Sequence, residues 1–240
     1  MIKSTVNSFC KLLGVRIVNA NWGPRGFATA FEEIKRSGVS IQQIVDIGAS
    51  NGQWTRECQT IWPAANYFMV DPLAENKTAL AVLKQRNSRL DYFSGALSSA
   101  PGEMELLTHG DQSSFHASEF SGPQPIKTLV PVETLDQLVS DGRLKMPDLI
   151  KMDVQGHELE VFRGATKSLE SCTVILVETN IQQSYENIPF LHEISTFLGD
   201  FGFRFFDFCT YVQRPFDMRL TQMDVVFAKG IPELFSVKWK

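Results

Sequence analysis

The sequence has few of the features that mark proteins acting on nucleic acids, metals or membranes. Its 23 Lys and Arg residues are outnumbered by 27 Asp and Glu residues, and the formal net charge of −4 argues against a protein that binds a phosphate backbone. No C-x-x-C pair is present, so neither a zinc motif nor a redox motif is indicated. No apolar run approaches the roughly 18 residues that span a bilayer. A small-molecule ligand remains compatible with this composition.

At the amino terminus we expect no secretion signal. Residues 1–5 do not lead into the long apolar segment of a signal peptide. The four cysteines are widely separated, which is typical of free and mostly buried thiols in a reducing compartment. They are Cys10, Cys58, Cys172 and Cys209. We therefore expect a cytoplasmic protein without a membrane span.

Short apolar runs alternate with longer helical stretches, which is the pattern of an α/β fold. The predicted strands are 44–47, 67–70, 90–97, 148–153, 173–178, 203–208 and 224–228, and the predicted helices are 53–61, 74–86, 158–169 and 189–201. Continuous apolar strands separated by helices indicate a parallel sheet that is covered on both faces. The last two strands are joined by a short irregular segment, so we predict that they are antiparallel to each other.

Residues 98–141 interrupt this alternation. They contain a β-like stretch at 103–108, a polar segment at 109–125, and Thr134 in position to cap a short helix. We expect an inserted hairpin and loop in this region, within a domain that covers residues 34–240. Residues 1–33 are expected to form a helical extension at the amino terminus.

The first predicted strand runs into a glycine-rich turn, Asp46-Ile47-Gly48-Ala49-Ser50-Asn51-Gly52. Gly48 permits a tight turn, and Gly52 allows a ligand or the next helix to approach the backbone closely. The first N–H groups of the following helix are free to bind a ligand. Asp71 closes the next strand, where an acid can accept hydrogen bonds from ribose hydroxyls. This arrangement predicts a nucleoside-containing cofactor.

The same turn distinguishes between classes of cofactor. Ser50 replaces the middle glycine of the dinucleotide motif G-x-G-x-x-G, and no P-loop Gly-Lys-Ser/Thr is present. Asp46 is unfavourable beside a pyrophosphate but favourable beside a cation. S-adenosylmethionine is a sulfonium cation without phosphate, so we expect this cofactor. An NAD(P)-dependent Rossmann oxidoreductase and a non-catalytic cofactor-binding module are the alternatives.

Several motifs between about residues 44 and 229 resemble, in the same order, those of the FkbM family of S-adenosylmethionine-dependent methyltransferases. Val45–Gly52 resembles the family's V-D-I-G-A-N-x-G, with Ser50 in place of Asn, and Val70-Asp71-Pro72 resembles its E-P step. Thr134-Leu135-Asp136 matches T-L-D. The most distinctive segment, Leu149–Glu158 (L-I-K-M-D-V-Q-G-H-E), is closely similar to L-I-K-I-D-V-E/Q-G-x-E.

The resemblance implies a Rossmann-like class I methyltransferase fold, with a seven-stranded and mostly parallel sheet, one antiparallel strand and helices on both faces. It also implies methyl transfer to a hydroxyl of a sugar, polyketide or related small molecule, which leaves S-adenosylhomocysteine. The partner is then a small-molecule acceptor and not a nucleic acid, and a homo-oligomer is compatible with the sequence. The expected cofactor-binding residues are Asp46, Gly48, Ser50, Asn51, Gly52, Asp71, Pro72, Ala96 and Asp153.

Two acids at strand ends and a nearby histidine are the candidate catalytic groups, because an alcohol acceptor benefits from a general base. Asp153 ends the fourth strand, His157 lies at the start of the next helix, and Glu178 ends the fifth strand. Each has a structural alternative: Asp153 could brace its loop, His157 could be a solvated helix start, and Glu178 could only close its strand. Lys151, in a buried strand, needs either a partner or an exit to solvent, and Asp136 is one candidate partner.

A divalent metal ion is a less favoured expectation. Asp153, Glu178 and a histidine would suit an oxygen-preferring ion such as magnesium. The sequence contains no tight ligand motif, so no metal site is predicted.

Overall fold

Two sheets and the helices that cover them make up the structure, a computed structural model that describes residues 24–109, 112–114, 126–183 and 187–236. The helices are α1 (Gly26–Arg36), α2 (Gln53–Gln59), α3 (Ala74–Arg86), α4 (Leu135–Ser140), α5 (Glu158–Arg163), α6 (Thr166–Ser171) and α7 (Leu191–Asp200). The strands are β1 (Gln43–Ile47), β2 (Asn66–Asp71), β3 (Leu90–Ser94), β4 (Ala96–Leu97), β5 (Gly102–His109), β6 (Gln112–Ser114), β7 (Ile126–Glu133), β8 (Leu149–Met152), β9 (Val174–Asn180), β10 (Arg204–Gln213) and β11 (Leu220–Ala228). Most of the predicted extension 1–33 and of the polar segment 109–125 lies outside the described residues.

The main sheet has seven strands in the order β10-β11-β9-β8-β1-β2-β3. Strands β8 and β1 pair in parallel with each other and with their outer neighbours, whereas β11 is antiparallel to both β9 and β10. The predicted sheet with one reversed strand is therefore confirmed. The strand order changes direction between β1 and β8, and ligands of such sheets bind at the carboxyl ends of the strands at this point.

Helices cover both faces of the main sheet, because neighbouring residues of each strand point to opposite sides. Ile44 packs in one buried cluster with α1, α2 and α3, and Val45 packs in the other with α4, α5, α6 and α7. Phe31 and Ile34 of α1 are fully buried in the first cluster. The predicted boundary between residues 33 and 34 thus falls inside a helix that packs against the main sheet.

The inserted region is a second sheet of four strands in the order β4-β7-β5-β6, which is more than the expected hairpin. The predicted strand 90–97 is divided between the two sheets, with β3 in the main sheet and β4 in the second. Gly95 stands at the division, where a Cβ atom would lie 2.6 Å from the carbonyl oxygen of Pro131. The close approach of the two backbones at this glycine lets the chain leave one sheet for the other.

Two local predictions about helices have different outcomes. Thr134 caps α4 as expected, since its Oγ1 accepts a hydrogen bond of 3.0 Å from the backbone N–H of Gln137. The predicted helix 158–169 is instead two helices, α5 and α6. Gly164 lies between them, and a Cβ atom there would lie 2.0 Å from the carbonyl oxygen of Ser98. No helix in the described ranges is long and apolar enough to cross a membrane.

Candidate active site

Two cavities open at the carboxyl ends of the parallel strands. The first, of about 310 Å³, is lined by Ile47, Gly48, Ser50, Val70, Asp71, Pro72, Leu73, Asn76, Gly95, Ala96, Leu97, Leu106, Ser114, Asp153, Val154, Gln155, Glu178 and Gln222. The second, of about 380 Å³, is lined by Phe27, Gly48, Ala49, Ser50, Asn51, Gln53, Trp54, Glu57, Lys151, Met152, Asp153, Leu176, Glu178, Thr210 and Asp224. Gly48, Ser50, Asp153 and Glu178 line both. These four shared residues form what we call the junction of the two cavities.

The glycine-rich turn at residues 46–52, which we call the glycine loop, borders both cavities and has a backbone conformation that residues other than glycine rarely adopt. Gly48 has φ +76°, and a Cβ atom there would lie 1.8 Å from the carbonyl oxygen of Asp153. Only glycine permits both the left-handed conformation and this close contact. Gly52 also has φ +76°, and its missing Cβ makes room for Leu83 of α3. Gly48 therefore shapes the cavities directly, whereas Gly52 allows a helix to approach.

Asp71 lies at the edge of the first cavity with its carboxylate firmly oriented. It is 5% exposed and accepts hydrogen bonds from the backbone N–H groups of Ser50 (2.8 Å) and Leu73 (3.0 Å) and from the side-chain amide of Asn76 (2.9 Å). A carboxylate has about four lone-pair sites, so it retains capacity for a ligand hydroxyl. The position suits the predicted contact with ribose, and Asn76 is a contributor that the sequence motifs did not reveal.

Asp46 is placed beneath the glycine loop and lines neither cavity. It is fully buried, and its Oδ2 accepts a hydrogen bond of 2.7 Å from Thr55. Its Oδ1 lies 3.3 Å from Nζ of Lys151, and this ammonium also donates to the carbonyl oxygen of Gly48 at 2.8 Å. Although burial alone would lower it, the nearby carboxylates of Asp46 and Asp153 raise the pKa of Lys151. Asp46 therefore fixes the loop from below.

The predicted pairing of Lys151 with Asp136 is wrong. The carboxylate of Asp136 instead accepts hydrogen bonds of 2.9 Å from the backbone N–H groups of Lys167 and Ser168, at the start of α6. Lys151 and Asp46 are partners in the register of β8 and β1, so their side chains emerge on the same face of the sheet. The sheet register, which the sequence motifs do not specify, selects the ion pair.

Asp153 and Glu178, two of the three candidate catalytic residues, meet at the junction. The side-chain nitrogen of Gln155 lies 2.8 Å from Oδ1 of Asp153 and 2.9 Å from Oε2 of Glu178. Burial, reinforced by the charges of Asp153 and Asp224, raises the pKa of Glu178 to about 9. Burial also raises the pKa of Asp224, which accepts a hydrogen bond from Thr210. A group of acids thus surrounds the point where the cavities join.

His157 does not join Asp153 and Glu178. It is 5% exposed, lines neither cavity, and its Nε2 lies 2.9 Å from Oγ of Ser98. The next residue, Glu158, is buried, accepts a hydrogen bond of 3.0 Å from the backbone N–H of Gly156, and has its pKa raised to about 7 by burial. Both residues hold the loop after β8. Within the described ranges, no group of three or more His, Cys, Asp or Glu is arranged to hold a metal ion.

The remaining predicted cofactor-binding residues divide between the cavities. Pro72 and Ala96 line the first cavity, and Asn51 lines the second. The Oδ1 atom of Asn51 accepts a hydrogen bond of 3.0 Å from the backbone N–H of Gln53 and so also supports the start of α2.

Two polar residues on the reversed strand reach the site and were not predicted. In β11, Gln222 lines the first cavity and Asp224 the second. Asp224 pairs in register with Glu178 of β9. An antiparallel strand brings its first half to the edge where its parallel neighbours end. Asp224, which opens the last predicted strand, was therefore an available signal, whereas Gln222 precedes that strand.

The first cavity has the chemistry that S-adenosylmethionine requires. Apolar side chains such as Val70, Leu97 and Val154 offer a surface for a base, and Asp71 is placed for ribose. None of the described lining residues of this cavity is Lys, Arg or His, whereas Asp71, Asp153 and Glu178 are acidic. This set suits a cationic cofactor without phosphate. It suits a dinucleotide poorly, since a pyrophosphate carries negative charge.

Comparison with known proteins agrees with this geometry. The model of the methyltransferase FkbM domain matches residues 46–205. Hexuronic acid methyltransferase AglP of Haloferax volcanii is 30% identical over 145 residues, which cover 55% of this chain and 54% of that protein. 2-O-methyltransferase NoeI of Sinorhizobium fredii is 29% identical over 177 residues, which cover 66% of this chain and 71% of that protein. The chain thus spans about half the length of AglP.

Among solved structures, magnesium protoporphyrin IX methyltransferase (ChlM) of Synechocystis PCC 6803, with bound S-adenosylmethionine, superposes with a TM-score of 0.48 at 10% identity, covering 85% of this chain and 77% of that one. The matched FkbM segment contains the glycine loop, Asp71, the loop after β8 and Glu178. Since the family model covers most of the chain, this protein belongs to the FkbM family of S-adenosylmethionine-dependent methyltransferases.

Proposed function

We propose that this protein transfers the methyl group of S-adenosylmethionine to a hydroxyl oxygen of a sugar or a related small molecule. The observation that carries the proposal is the junction, where a cavity suited to the cofactor meets a second cavity at Asp153 and Glu178. The name of one relative, a 2-O-methyltransferase, supports transfer to a hydroxyl oxygen, and the name of another, a hexuronic acid methyltransferase, supports a sugar acceptor.

The residues of the first cavity would hold the cofactor by its nucleoside part. Asp71 accepts hydrogen bonds from ribose, while Ser50 and Asn76 keep its carboxylate in place. When bound, S-adenosylmethionine supplies a methyl group that its sulfonium has already activated. The protein chiefly aligns the acceptor oxygen with that methyl group, and such positioning can contribute about 7–11 kcal/mol in ideal cases.

The two carboxyl groups at the junction have different tasks. Asp153 has a side chain that is 38% exposed and faces both cavities, so we assign to it the removal of the hydroxyl proton. Glu178, with a pKa of about 9, carries a proton at neutral pH and can donate a hydrogen bond to the acceptor. His157 is assigned a structural task, because it holds Ser98 and lines neither cavity.

The second cavity favours an acceptor without negative charge. Glu57 and Asp224 add to the acids at the junction, and Lys151 is the one cation among its described lining residues. The charge of Lys151 is already engaged by Asp46, so it is poorly placed to pair with a carboxylate or phosphate. The indole of Trp54 and the ring of Phe27, with centroids 5.6 Å apart, supply an apolar wall. A neutral sugar fits this mixture of apolar and hydrogen-bonding groups.

Isothermal calorimetry together with a methylation assay tests the proposal. S-adenosylmethionine should bind, and Asp71→Ala should weaken binding by about 1–3 kcal/mol through lost hydrogen bonds. Asp91→Ala is the matched control, since Asp91 is an exposed acid that pairs with Lys84 away from both cavities. Neutral glycosides should be methylated faster than the corresponding uronides.

Three outcomes would redirect the assignment. Unchanged affinity in Asp71→Ala would remove the ribose contact. Binding of NAD without binding of S-adenosylmethionine would favour an oxidoreductase. Tight binding of S-adenosylmethionine without turnover of any glycoside or polyketide would favour a non-catalytic binding module.

The cytoplasm is the compartment that we propose for this reaction. Cys58, Cys172 and Cys209 are buried and free, and burial raises the pKa of Cys172 and of Cys209 to about 12. Thiols in this state are unreactive, and a reducing compartment keeps them so.

A further inference from the structure

One side-chain amide joins the two carboxyl groups at the junction. The nitrogen Nε2 of Gln155 lies 2.8 Å from Oδ1 of Asp153 and 2.9 Å from Oε2 of Glu178. An amide nitrogen carries two hydrogens, so one side chain can donate to both groups. Asp153 follows β8 and Glu178 lies in β9, so Gln155 links the ends of two different strands.

The backbone holds this amide in place with an unusual conformation. Gln155 has φ +54°, in the left-handed region that side chains other than glycine rarely adopt. Its carbonyl oxygen accepts a hydrogen bond of 2.7 Å from Ser114, a buried residue of the second sheet. The next N–H, from Gly156, donates to Glu158 at 3.0 Å. A strained residue that is fixed by neighbours on both sides is typical of a functional site.

The amide also determines which carboxyl oxygens remain available. Oε2 of Glu178 is taken by Gln155 and, at 3.3 Å, by the amide of Gln222, so a proton on Glu178 belongs on Oε1. Oδ1 of Asp153 also accepts a hydrogen bond from the amide of Gln155, and its Oδ2 lies 3.8 Å from the ammonium of Lys151.

We propose that Gln155 is a positioning residue, whose amide holds Asp153 and Glu178 in one fixed arrangement so that their other oxygens face the acceptor. This inference rests on the proposed methyl transfer for its effect on rate, but not for its effect on the carboxyl groups. Glu178 is faced by Asp153, Asp224, Glu158 and Lys151, and all four remain unchanged when only Gln155 is replaced. Loss of an N–H donor to its charged form raises the pKa of a carboxyl group.

The test compares Gln155→Leu with Gln137→Leu, a control on α4 whose amide contacts Asp141 and lines neither cavity. In Gln155→Leu, kcat on a neutral glycoside should fall about 10²-fold, as expected for misplaced reacting groups. The acceptor KM and the calorimetric Kd of S-adenosylmethionine should change less than about threefold, because the cofactor contacts on Asp71 persist. The conservative variant Gln155→Glu should regain part of kcat at acidic pH, where its protonated carboxyl can donate one hydrogen bond.

A carboxyl titration by carbon-13 NMR decides the structural half of the proposal without any turnover. The Glu178 resonance, identified by its loss in Glu178→Gln, should titrate about 0.5–1 pH unit higher in Gln155→Leu than in the control. An unchanged titration, or a fall in kcat matched by an equal loss of cofactor affinity, would overturn the positioning role. If the unmodified protein methylates no acceptor, the proposed function fails, and the titration still tests the contact.

Discussion

Asp46 and Asp153 stand at the ends of neighbouring parallel strands, β1 and β8, and yet have opposite surroundings. Asp46 is fully buried, pairs with Lys151 and lines neither cavity. Asp153 has a side chain that is 38% exposed and lines both cavities. The same residue type therefore acts as a buried support in one loop and, in the function that we propose, as the general base in the next.

One position along the strand accounts for the difference. Asp46 is the penultimate residue of β1, where its register partner is Lys151 and its side chain points into a helix layer. Asp153 follows the last residue of β8, and its backbone N–H still donates to Ile47 at 3.0 Å while its side chain leaves the sheet. An acid inside the ladder is buried and needs a partner. An acid just beyond it lines the cavities.

The largest expected effect is on turnover in Asp153→Asn. The amide cannot take a proton, so kcat should fall by about 10²–10⁴-fold, while the Kd of S-adenosylmethionine changes little. Asp46→Asn is the reciprocal control. It should have a strong effect on the free energy of unfolding and a weaker effect on kcat. Steady-state kinetics and calorimetry on both variants make the comparison, and equal losses of turnover and affinity in Asp153→Asn would refute a catalytic role.

The next largest effect is on stability in Lys151→Met. Removal of the ammonium leaves the carboxylate of Asp46 buried without its ion pair, which should lower the free energy of unfolding by about 3–5 kcal/mol. The double variant Asp46→Leu/Lys151→Met should recover much of this loss, because no buried charge then remains. Urea denaturation with an unchanged m-value measures both. A loss below about 1 kcal/mol in the single variant would mean that the pair is not a support.

The main sheet and the first cavity were largely readable from sequence. Apolar strands, two glycines and Asp71 are local signals, and each appears where the order of elements placed it. The antiparallel pairing of the last two strands was also readable, because the segment between them lacks a helical pattern. What local signals could not supply was the register that pairs Lys151 with Asp46.

The second sheet and the contacts of the Gln155 amide could not be predicted from the sequence, because they too depend on how separate elements pack together. The sequence predicts one strand over residues 90–97, and the division of that strand at Gly95 depends on a contact with Pro131, which is distant in sequence. Gln155 reads as one member of a family motif, while its contact with Glu178 depends on how β8 and β9 align. Contacts between elements that are distant in sequence determine both the division of the strand and the position of the Gln155 amide.

A further effect, of comparable size, concerns the pH dependence of stability through Glu178. Its pKa is raised to about 9 in the folded protein, above its ordinary value of 4.5, so between these values the folded state holds a proton that the unfolded state has lost. The contribution of this proton to the stability of the fold is fully present below the ordinary pKa. It is lost as pH rises towards the raised pKa, at up to about 1.4 kcal/mol per pH unit. Glu178→Gln should therefore be more stable than the unmodified protein at pH 8 and gain less at pH 5. Urea denaturation at several pH values measures this difference. If the free energy of unfolding had the same slope against pH in both proteins, the raised pKa of Glu178 would be contradicted.

The smallest effect tests the second contact of Asp46. Thr55→Val removes the hydroxyl that donates to Oδ2 at 2.7 Å while keeping the shape of a fully buried side chain. The free energy of unfolding should fall by about 2 kcal/mol, the usual value for a hydrogen bond to a charged group. Thr60→Val, at the exposed end of α2, should lower the free energy of unfolding by a smaller amount. In the Asp46→Leu/Lys151→Met background, Thr55→Val should leave the free energy of unfolding almost unchanged. This double-mutant cycle isolates the part of the effect that depends on the charge of Asp46. An undiminished cost there would show that Thr55 supports the loop independently of Asp46.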